Sequence, residues 1–377
     1  MSDSKIKTVR IAGLSFELCG SLSILDEFVC YSEEKSNGQI FCCYEMLYNG
    51  SEKLAVSHNG ISVFGRGDGS WLYALSEKPN FAQVTLSADS RNISVYTENS
   101  DSTEAVFAQR NLLRMALESV MVRNSCLSLH SSCVAVNGEG VAFTGFSGMG
   151  KSTRADAWVK ENGATFISGD RPALGLSSDG VKVYGVPWDG KEQVFRSVEY
   201  PLRAILEVRR SETDYLRKLT PSQAQRVLMK QAFIPMWDTN AAATAIMNIR
   251  KLSKSVPVYR LFCGPERENA RRIYEILFNR PNEILEVAEE MKIKEGFVLR
   301  NVADEYIVMP TGSNVAKFDG AVVLNDVSAF IFEKLLNPTS KEDIVTALID
   351  EYDVDAQTAA KDVDALVCEF EKMGIIE

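Results

Sequence analysis

The sequence predicts a multidomain α/β protein built from three parts. Its 377 residues exceed what one ordinary hydrophobic core requires. Residues 1–103 show the alternating apolar pattern of β-strands, residues 104–280 mix strand and helix patterns, and residues 293–377 combine a hairpin pattern with three amphipathic helices. We therefore expect a β-rich N-terminal domain, a central α/β domain and a C-terminal module of one hairpin and three helices.

Composition limits the classes of partner and compartment. The chain is 45% hydrophobic and 24% charged with a net charge of −10, which argues against nucleic acid as a partner because phosphate backbones require basic surface. No run of 18 apolar residues indicates a membrane span, and the opening MSDSKIKTVR lacks the apolar core of a signal peptide. The eight cysteines include no C-x-x-C pair, so we expect buried free thiols in a reducing cytoplasm.

The N-terminal domain carries strand and turn signals but no recognisable chemistry. Leu14, Phe16 and Leu18 alternate with polar neighbours, as expected of a half-buried strand, and Asn-Gly pairs mark turns. A helix is predicted over residues 104–123, and we expect its apolar face to be packed in the core. That face is formed by Phe107, Leu112, Met115, Ala116 and Val120.

A hairpin and a glycine-rich loop open the central domain. Cys133–Val136 and Val141–Thr144 are predicted strands, and Asn137-Gly138 between them is a strong turn signal. The second strand leads into the phosphate-binding pattern G-x-x-x-x-G-K-[ST], the Walker A motif, and a helix pattern follows. Such a loop cradles a polyphosphate with backbone N–H groups at a helix N-terminus, which predicts ATP or GTP binding. The predicted nucleotide-binding residues are Gly145, Phe146, Ser147, Gly148, Met149, Gly150, Lys151, Ser152 and Thr153.

Acidic and basic residues beyond the loop complete the predicted site. Asp170 and Arg171 follow a predicted buried strand at Thr165–Ile167, and an acid there usually faces Mg²⁺. We expect Ser152 and Asp170 to ligate Mg²⁺ and Lys151 to reach the outer phosphates. Val186–Lys191 is a loop whose Trp188 indicates either a packed turn or a site, and it supplies Asp189 and Lys191 as further candidates.

The remaining elements divide the chain into its central and C-terminal parts. Residues 204–208 are a predicted strand, and residues 221–232 and 266–279 are predicted helices. Charged residues 280–294 with Pro281 suggest a linker. In the C-terminal module, Phe297–Val302 and Tyr306–Pro310 predict a hairpin. Three helices follow. The second is opened by a capping box of Thr339 and Glu342, and the third is closed by Gly374. The first has an apolar stripe formed by Val327, Phe330, Ile331 and Leu335.

The middle of the chain resembles HPr kinase/phosphorylase and its relatives over roughly residues 125–280. The matching residues are His130, the loop GFSGMGKST and Asp170, and the stretch Gly185–Lys191 is similar to a P-W-x-G segment of HPr-kinase-like proteins near peptide-modification genes. Phosphoenolpyruvate carboxykinase shares this nucleotide-binding core and is a more distant alternative. The family has two adjacent aspartates after the loop helix, whereas this chain has Gly169-Asp170. The resemblance therefore leaves Asp170, His130 or Asp189 as the catalytic base, with Arg171 and Lys191 as candidates to stabilise the transferred group.

Residues 293–377 resemble a PqqD-type module of winged-helix-like architecture. The resemblance rests on Val298-Leu299-Arg300, on Leu324–Ala329, on Glu351–Val354 after the capped helix, and on Gly374-Ile375-Ile376. In that family the module binds the leader segment of a precursor peptide, which the resemblance implies here by strand addition. The hairpin should then keep one free edge, with Phe330 or its neighbours facing a groove beside it.

Together these features predict a cytoplasmic ATP- or GTP-dependent kinase that phosphorylates Ser or Thr of a ribosomally synthesised precursor peptide. Two other functions stay open: a nucleotide-switched peptide chaperone without kinase activity, and a small-molecule kinase, for example of serine. A peptide encoded beside this gene, with Ser or Thr in its tail, would favour the first. The sequence leaves a homo-oligomer open and indicates neither nucleic acid nor membrane as a partner.

Overall fold

The protein separates into two compact units, Met1–Glu283 and Ile284–Glu377. It is represented by a computed structural model. The structure describes residues 7–20, 25, 28, 36–43, 47, 52–98, 102–188, 196–210, 215–263, 270–279, 290–315 and 321–376. The architecture is a mixed α/β one with several sheets, as predicted. The finer domain limits of 1–103, 104–280 and 293–377 stay a prediction.

An eight-stranded sheet forms the N-terminal part of the first unit, which confirms its β-rich character. The order is β1-β2-β3-β8-β7-β6-β5-β4. Strand β3 pairs in parallel with both β2 and β8, and the other pairs are antiparallel. The strands are β1 Lys7–Ile11, β2 Leu14–Cys19, β3 Gly38–Cys43, β4 Lys53–His58, β5 Ile61–Gly65, β6 Trp71–Leu75, β7 Ala82–Leu86 and β8 Asn92–Thr97.

Helix α1, Thr103–Arg123, lies on this sheet. It begins at Ser102, whose side chain accepts a hydrogen bond from the Ala105 N–H, as an N-cap residue should. The helix is confirmed, but its predicted apolar face is wrong at Phe107, which is 69% exposed. Phe107 precedes the buried Ala116 by nine residues, and at about 3.6 residues per turn this places the two on opposite sides of the helix.

A nine-stranded sheet forms the rest of the first unit. Its main path is β12-β10-β11-β15-β14-β13-β9, with β17 beside β15 and β16 beside β17. The pairs β11–β15 and β15–β17 are parallel, so their carboxyl ends meet at one edge. The strands are β9 Cys126–Ser128, β10 Ser131–Val136, β11 Glu139–Thr144, β12 Thr165–Ser168, β13 Ala173–Ser177, β14 Gly180–Tyr184, β15 Glu199–Arg210, β16 Tyr215–Lys218 and β17 Val258–Cys263.

The predicted hairpin is the pair β10–β11. Asn137 and Gly138 both have positive φ, 52° and 76°, which is the requirement of a two-residue turn that matches strand twist. Helices cover this sheet, and α3 begins with a capping box of Thr220 and Gln223. The helices are α2 Lys151–Asn162, α3 Pro221–Gln231, α4 Thr239–Ser255 and α5 Ala270–Tyr274, the last continued by a π-helical turn Glu275–Asn279. Residues 266–269 of the helix predicted over 266–279 lie outside the described residues.

Three of the described cysteines, Cys126, Cys133 and Cys263, are buried, and Cys368 is exposed. The described cysteines are free thiols, but the prediction that they are buried holds only for Cys126, Cys133 and Cys263, since Cys19 and Cys42 are partly exposed. Burial raises the pKa of the Cys126 thiol to about 12, so this group stays protonated and unreactive at neutral pH. Across the described ranges, no helix combines the length and apolar character that crossing a membrane requires.

The second unit is a three-stranded sheet, β19-β20-β21, with three helices and a short two-stranded pair. The hairpin β19–β20 is confirmed, and Ala303 and Asp304 at its turn both have positive φ, 52° and 67°. The elements are β18 Glu290–Met291, β19 Phe297–Val302, β20 Glu305–Pro310, β21 Val322–Leu324, α6 Asp326–Lys334, β22 Thr339–Ser340, α7 Lys341–Glu351 and α8 Ala356–Lys372.

The cap of α7 is one residue later than predicted. Ser340, not Thr339, is the N-cap: its hydroxyl accepts from the Asp343 N–H. Thr339 instead donates its hydroxyl to the carbonyls of Lys334 and Asn337, which close the preceding turn. Both residues fit the same pattern of a hydroxyl three positions before an acid, so the sequence alone does not separate them. Gly374, with φ of 70°, follows α8 as predicted.

Candidate functional site

The loop between β11 and α2 has the backbone geometry that its glycines permit. Gly145, Gly148 and Gly150 all have positive φ, at 139°, 80° and 92°. A Cβ at Gly145 would also lie 3.0 Å from the Val208 carbonyl oxygen of β15, so a side chain there would crowd the neighbouring strand. Side chains at these positions would strain the loop. Strand, loop and helix thus follow one another as a phosphate-binding loop requires.

Lys151 is the first residue of α2 and lies beneath the loop. It is only 9% exposed and is therefore buried at the start of the helix. Its Nζ donates to the carbonyl oxygens of Gly145 and Phe146 at 3.0 and 3.1 Å. Burial lowers the pKa of Lys151, Arg171 lowers it further, and Asp170 opposes the shift. The ammonium group is therefore a buried cation that the loop carbonyls partly satisfy.

Ser132 links the loop helix to the segment before Asp170. Its hydroxyl is 3.3 Å from the Ser152 hydroxyl and donates to the Gly169 carbonyl at 3.1 Å. Ser132 is fully buried. Gly169 thus contributes a carbonyl to this arrangement. Sequence reasoning missed Ser132, because a serine in an apolar strand carries no motif signal.

Asp170 lies between two side chains from distant parts of the chain, the cationic Arg114 and His130. Its Oδ1 is 3.9 Å from His130 Nε2, and its Oδ2 is 3.8 Å from Nη1 of Arg114 on α1. The pKa of His130 is lowered, first by burial and then by Lys151, while Asp170 opposes this shift. His130 is accordingly uncharged near neutral pH and can accept a proton. Arg114 is the second residue that sequence reasoning missed.

The turn after Asp170 is held in an uncommon conformation. Arg171 has φ of 52°, which residues other than glycine seldom adopt. The indole N–H of Trp188, itself buried, donates to the Arg171 carbonyl at 3.2 Å, and the Ser168 hydroxyl donates to the Asp170 carbonyl at 3.0 Å. Trp188 is thus a packed side chain that also fixes the backbone beside Asp170. The candidates Asp189 and Lys191 lie outside the described residues.

Two arginines at the end of β15 contact the loop. The Arg209 guanidinium lies 5.3 Å from the centre of the Phe146 ring and donates to buried Glu207 at 2.6 Å, while Arg210 donates to the Gly148 carbonyl at 2.8 Å. Both contacts arise because β15 runs parallel to β11 and ends at the same edge. The tip of the loop is more open: Ser147 and Thr153 are exposed.

The donor set fits a magnesium nucleotide. Ser152 and Asp170 offer a hydroxyl and a carboxylate, which are the hard oxygen ligands that Mg²⁺ takes alongside phosphate and water. The described residues contain no cluster of three or more His, Cys, Asp or Glu side chains able to hold a metal ion by themselves. The roles of Ser152 and Asp170 as Mg²⁺ ligands stay predictions.

The sheet of the second unit has two edges of different character. Among the described residues, β19 pairs only with β20, and β21 pairs only with β20. The two-residue turn and the registers direct the backbone groups of Leu299 and Asn301 outward from β19, and those of Val323 outward from β21. Strand β19 carries exposed Arg300 and Asn301, whereas Val323 is apolar and 59% exposed. Charged side chains protect an edge from pairing, so β21 is the more open edge.

Phe330 on α6 is half-buried and makes two ring contacts. Its ring meets that of Tyr352 edge-to-face at 5.6 Å, and the ammonium of Lys334 lies 4.4 Å from its centre. The neighbouring Ile331 and Leu335 are buried in the core of this unit, as their predicted stripe requires. Phe330 thus sits at the border between core and surface.

Comparisons with known proteins identify the C-terminal part of the chain. Residues 305–376 match the family model of coenzyme PQQ synthesis protein D, PqqD. The structure of TbiB1 in complex with the TbiA(beta) leader peptide is 23% identical, covering 23% of this chain and 94% of that one with a TM-score of 0.20. Lasso peptide synthetase B1 complexed with the leader peptide is 24% identical, covering 24% and 99% with a TM-score of 0.21.

A third similar structure is that of a kinase. The HPr(Ser) kinase/phosphatase from Coxiella burnetii is 12% identical, covering 41% of this chain and 90% of that one with a TM-score of 0.25. No curated protein gives a significant match to the chain. The predicted PqqD resemblance is confirmed by the family match. Residues 305–376 of this chain form a PqqD domain.

Proposed function

We propose that this protein is a nucleotide-dependent kinase that transfers a phosphoryl group to a Ser or Thr hydroxyl of a precursor peptide. The PqqD domain recruits this peptide through its leader segment. One observation carries the proposal: a glycine loop with a buried lysine lies beside an aspartate and a neutral histidine, in a chain that also has a PqqD domain.

The nucleotide half of the proposal rests on charge. Lys151, Arg171 and Arg114 gather around Asp170 in a protein whose net charge is −10. Such a local excess of cations suits the phosphates of ATP or GTP. Ser152 and Asp170 would hold Mg²⁺, which neutralises charge on the phosphates when bound. Phosphoryl transfer requires mainly positioning and charge neutralisation, and these residues supply both.

The acceptor hydroxyl needs a group that takes its proton. His130 is neutral near pH 7 and lies 3.9 Å from Asp170, so either group can orient the hydroxyl. Asp189 is a third candidate from the sequence. Because this chain has a single aspartate after Gly169, a nucleotide-switched peptide chaperone stays an alternative. In that case the nucleotide binds but no phosphoryl group is transferred.

The peptide half of the proposal rests on the PqqD domain and its open sheet edge. We propose that the leader adds as a fourth strand along β21, where backbone groups of Val323 point outward. Main-chain hydrogen bonds then provide affinity, and the exposed apolar side chain of Val323 contributes to selectivity.

Mass spectrometry provides the direct test. A short peptide encoded beside this gene is incubated with the protein, ATP and Mg²⁺. We expect a gain of one phosphate on a Ser or Thr residue. Binding of nucleotide and peptide without any phosphate gain would support the chaperone instead, and transfer to free serine alone would support the small-molecule kinase.

Replacing Asp170 tests the acid. Asp170→Asn keeps the shape of the side chain but removes the charge that faces Mg²⁺, Arg114 and His130. We expect turnover to fall by ~10²-fold or more, as when an electrostatic group at developing charge is lost. Steady-state phosphorylation of the peptide measures this. Unchanged turnover would move the role to Asp189 or His130, and the same assay on His130→Ala separates those two.

A matched pair of proline substitutions tests the sheet edge. Val323→Pro and Asn301→Pro each remove one outward N–H, from β21 and β19 respectively, without removing a hydrogen bond of the sheet. We expect Val323→Pro to weaken leader binding by about tenfold, the effect of a lost hydrogen bond of about 1.4 kcal/mol. Asn301→Pro should bind as the native protein does. Calorimetric titration measures both leader affinities. If Asn301→Pro weakens leader binding and Val323→Pro does not, the leader pairs with β19 instead.

A further inference from the structure

Helix α1 is fixed firmly on the N-terminal sheet. Leu112, Leu113 and Ala116 are buried in the core that it shares with the strands. The Ser119 hydroxyl lies 3.2 Å from that of Tyr73 on β6, and Arg123 pairs with Asp238 before α4. The helix is therefore a rigid support for whatever its opposite face carries.

That opposite face carries Phe107, Arg110 and Arg114, which we call the α1 stripe. The spacings of three and seven residues place all three on one side of a helix. Exposure falls steadily along this side: Phe107 is 69% exposed, the side chain of Arg114 is 22% exposed, and Glu118, the next residue in line, is 1% exposed. The stripe thus runs from solvent to the candidate active site.

The inner end of the stripe offers hydrogen-bond donors. Arg114 lies 3.8 Å from Asp170, beyond hydrogen-bond distance, and its buried Nε has no hydrogen-bond partner within the described ranges. That Nε is out of reach of a ligand, but the side chain as a whole is 22% exposed, so a ligand carboxylate can approach the outer part of the guanidinium. Glu118 is satisfied, since it accepts from the Ser128 hydroxyl at 2.5 Å.

We propose that the α1 stripe binds the acceptor segment of the peptide, with an apolar side chain on Phe107 and an acidic side chain against Arg110 and Arg114. This deepens the proposed kinase function and rests on it. Phe107 and Arg114 are about 10 Å apart along the helix, at about 1.5 Å per residue. An extended peptide covers that distance in about three residues. The apolar residue should therefore lie about three positions from the phosphorylated Ser or Thr.

The charge of the α1 stripe and its continuity with the candidate active site favour the acceptor segment of the peptide as its ligand. The stripe joins the surroundings of Asp170, where the acceptor hydroxyl must come, and its two arginines complement a carboxylate. An exposed aromatic ring next to arginines is the type of residue that dominates peptide and protein binding surfaces. The alternative ligand for the Phe107 ring is the base of the nucleotide. The experiments below distinguish this base from the peptide.

Short synthetic peptides with a single Ser provide the probe. One set carries Asp two positions and Leu three positions from the Ser, on either its N-terminal or its C-terminal side, and a matched set carries Lys and Gly there. For one of the two sides of the Ser, we expect kcat/KM of the native full-length protein to be about tenfold higher for the Asp/Leu peptide than for the matched Lys/Gly peptide. Phe107→Ala should abolish the preference for Leu by raising KM, with kcat unchanged. Ile246→Ala, which truncates an exposed side chain of α4, is the control and should preserve the preference.

A second measurement does not depend on catalysis. The favoured peptide with Ala in place of Ser should bind the native protein about tenfold more tightly than it binds Phe107→Ala, by calorimetric titration. Affinity for ATP should be equal in both proteins. Equal kcat/KM for all peptides, or a weaker ATP affinity in Phe107→Ala, would overturn this inference alone. Phosphorylation of no peptide at all, including the one encoded beside the gene, would instead overturn the proposed function.

Discussion

Lys151→Met should reduce phosphoryl transfer by on the order of 10³-fold, because it removes the cation beneath the loop. Methionine keeps most of the aliphatic stem, so it fills the buried space that Lys151 occupies, whereas alanine would leave a cavity. The loss should fall on turnover, since the ammonium group counters charge that develops during transfer. Peptide phosphorylation followed by mass spectrometry measures it.

Thermal unfolding of the Lys151→Met variant provides the control. Its Tm should fall by only a few degrees: the half-buried Phe146 carbonyl can turn to water, whereas the buried Gly145 carbonyl loses its donor at a cost of about 1–3 kcal/mol. Calorimetric titration with ATP and Mg²⁺ tests the binding half. If the native protein shows neither heat nor a thermal shift with nucleotide, the nucleotide-binding role of residues 145–153 is wrong.

Removal of the PqqD domain should weaken phosphorylation of the precursor peptide by ~10²-fold at peptide concentrations below saturation. A chain ending at residue 283, where the first unit ends, keeps the loop, Asp170 and α1. The leader would then no longer hold the acceptor segment at high local concentration. Nucleotide affinity should be unchanged, and calorimetric titration with ATP checks this.

Two further measurements make the experiment with the shortened chain more specific. Residues 284–377 form a compact unit with a hydrophobic core of their own, so they should fold alone and bind the leader. A peptide that lacks its leader should be phosphorylated equally by the full chain and by the shortened one. Equal rates for the leader-bearing peptide with and without the domain would contradict recruitment and favour a small-molecule kinase.

The local elements of this fold were predictable because each depends on neighbouring residues. Asn137-Gly138 predicts the turn of the first hairpin, and the Walker A pattern predicts where β11 ends and α2 begins. Phe107 was misplaced because it was grouped with Ala116, which comes nine residues later and so lies on the opposite side of the helix. The parallel pairing of β3 with β2 and β8 was not predicted, since no local pattern encodes which strands become neighbours.

The site was predictable where a motif describes it and not where tertiary packing creates it. Lys151, Ser152, Asp170 and His130 belong to recognisable patterns, and His130 and Asp170 do approach one another. Arg114 comes from a helix that precedes the motif, and only the packing of α1 brings it to Asp170. Ser132 resembles any strand serine until its contacts with Ser152 and Gly169 are seen.

The parallel pairing of β11, β15 and β17 also determines when the protein can become active during its synthesis. Strand β11 ends at Thr144, but its neighbour β15 extends to Arg210 and the next strand β17 ends at Cys263. A ribosome needs on the order of ten seconds to add that length of chain. Until then β11 is paired with β10 alone, so a nascent chain carries an apolar strand with one open edge, exposed to aggregation or to a chaperone. Nucleotide binding should begin only after β17 has emerged, which makes the site a late product of folding although its motif is made early.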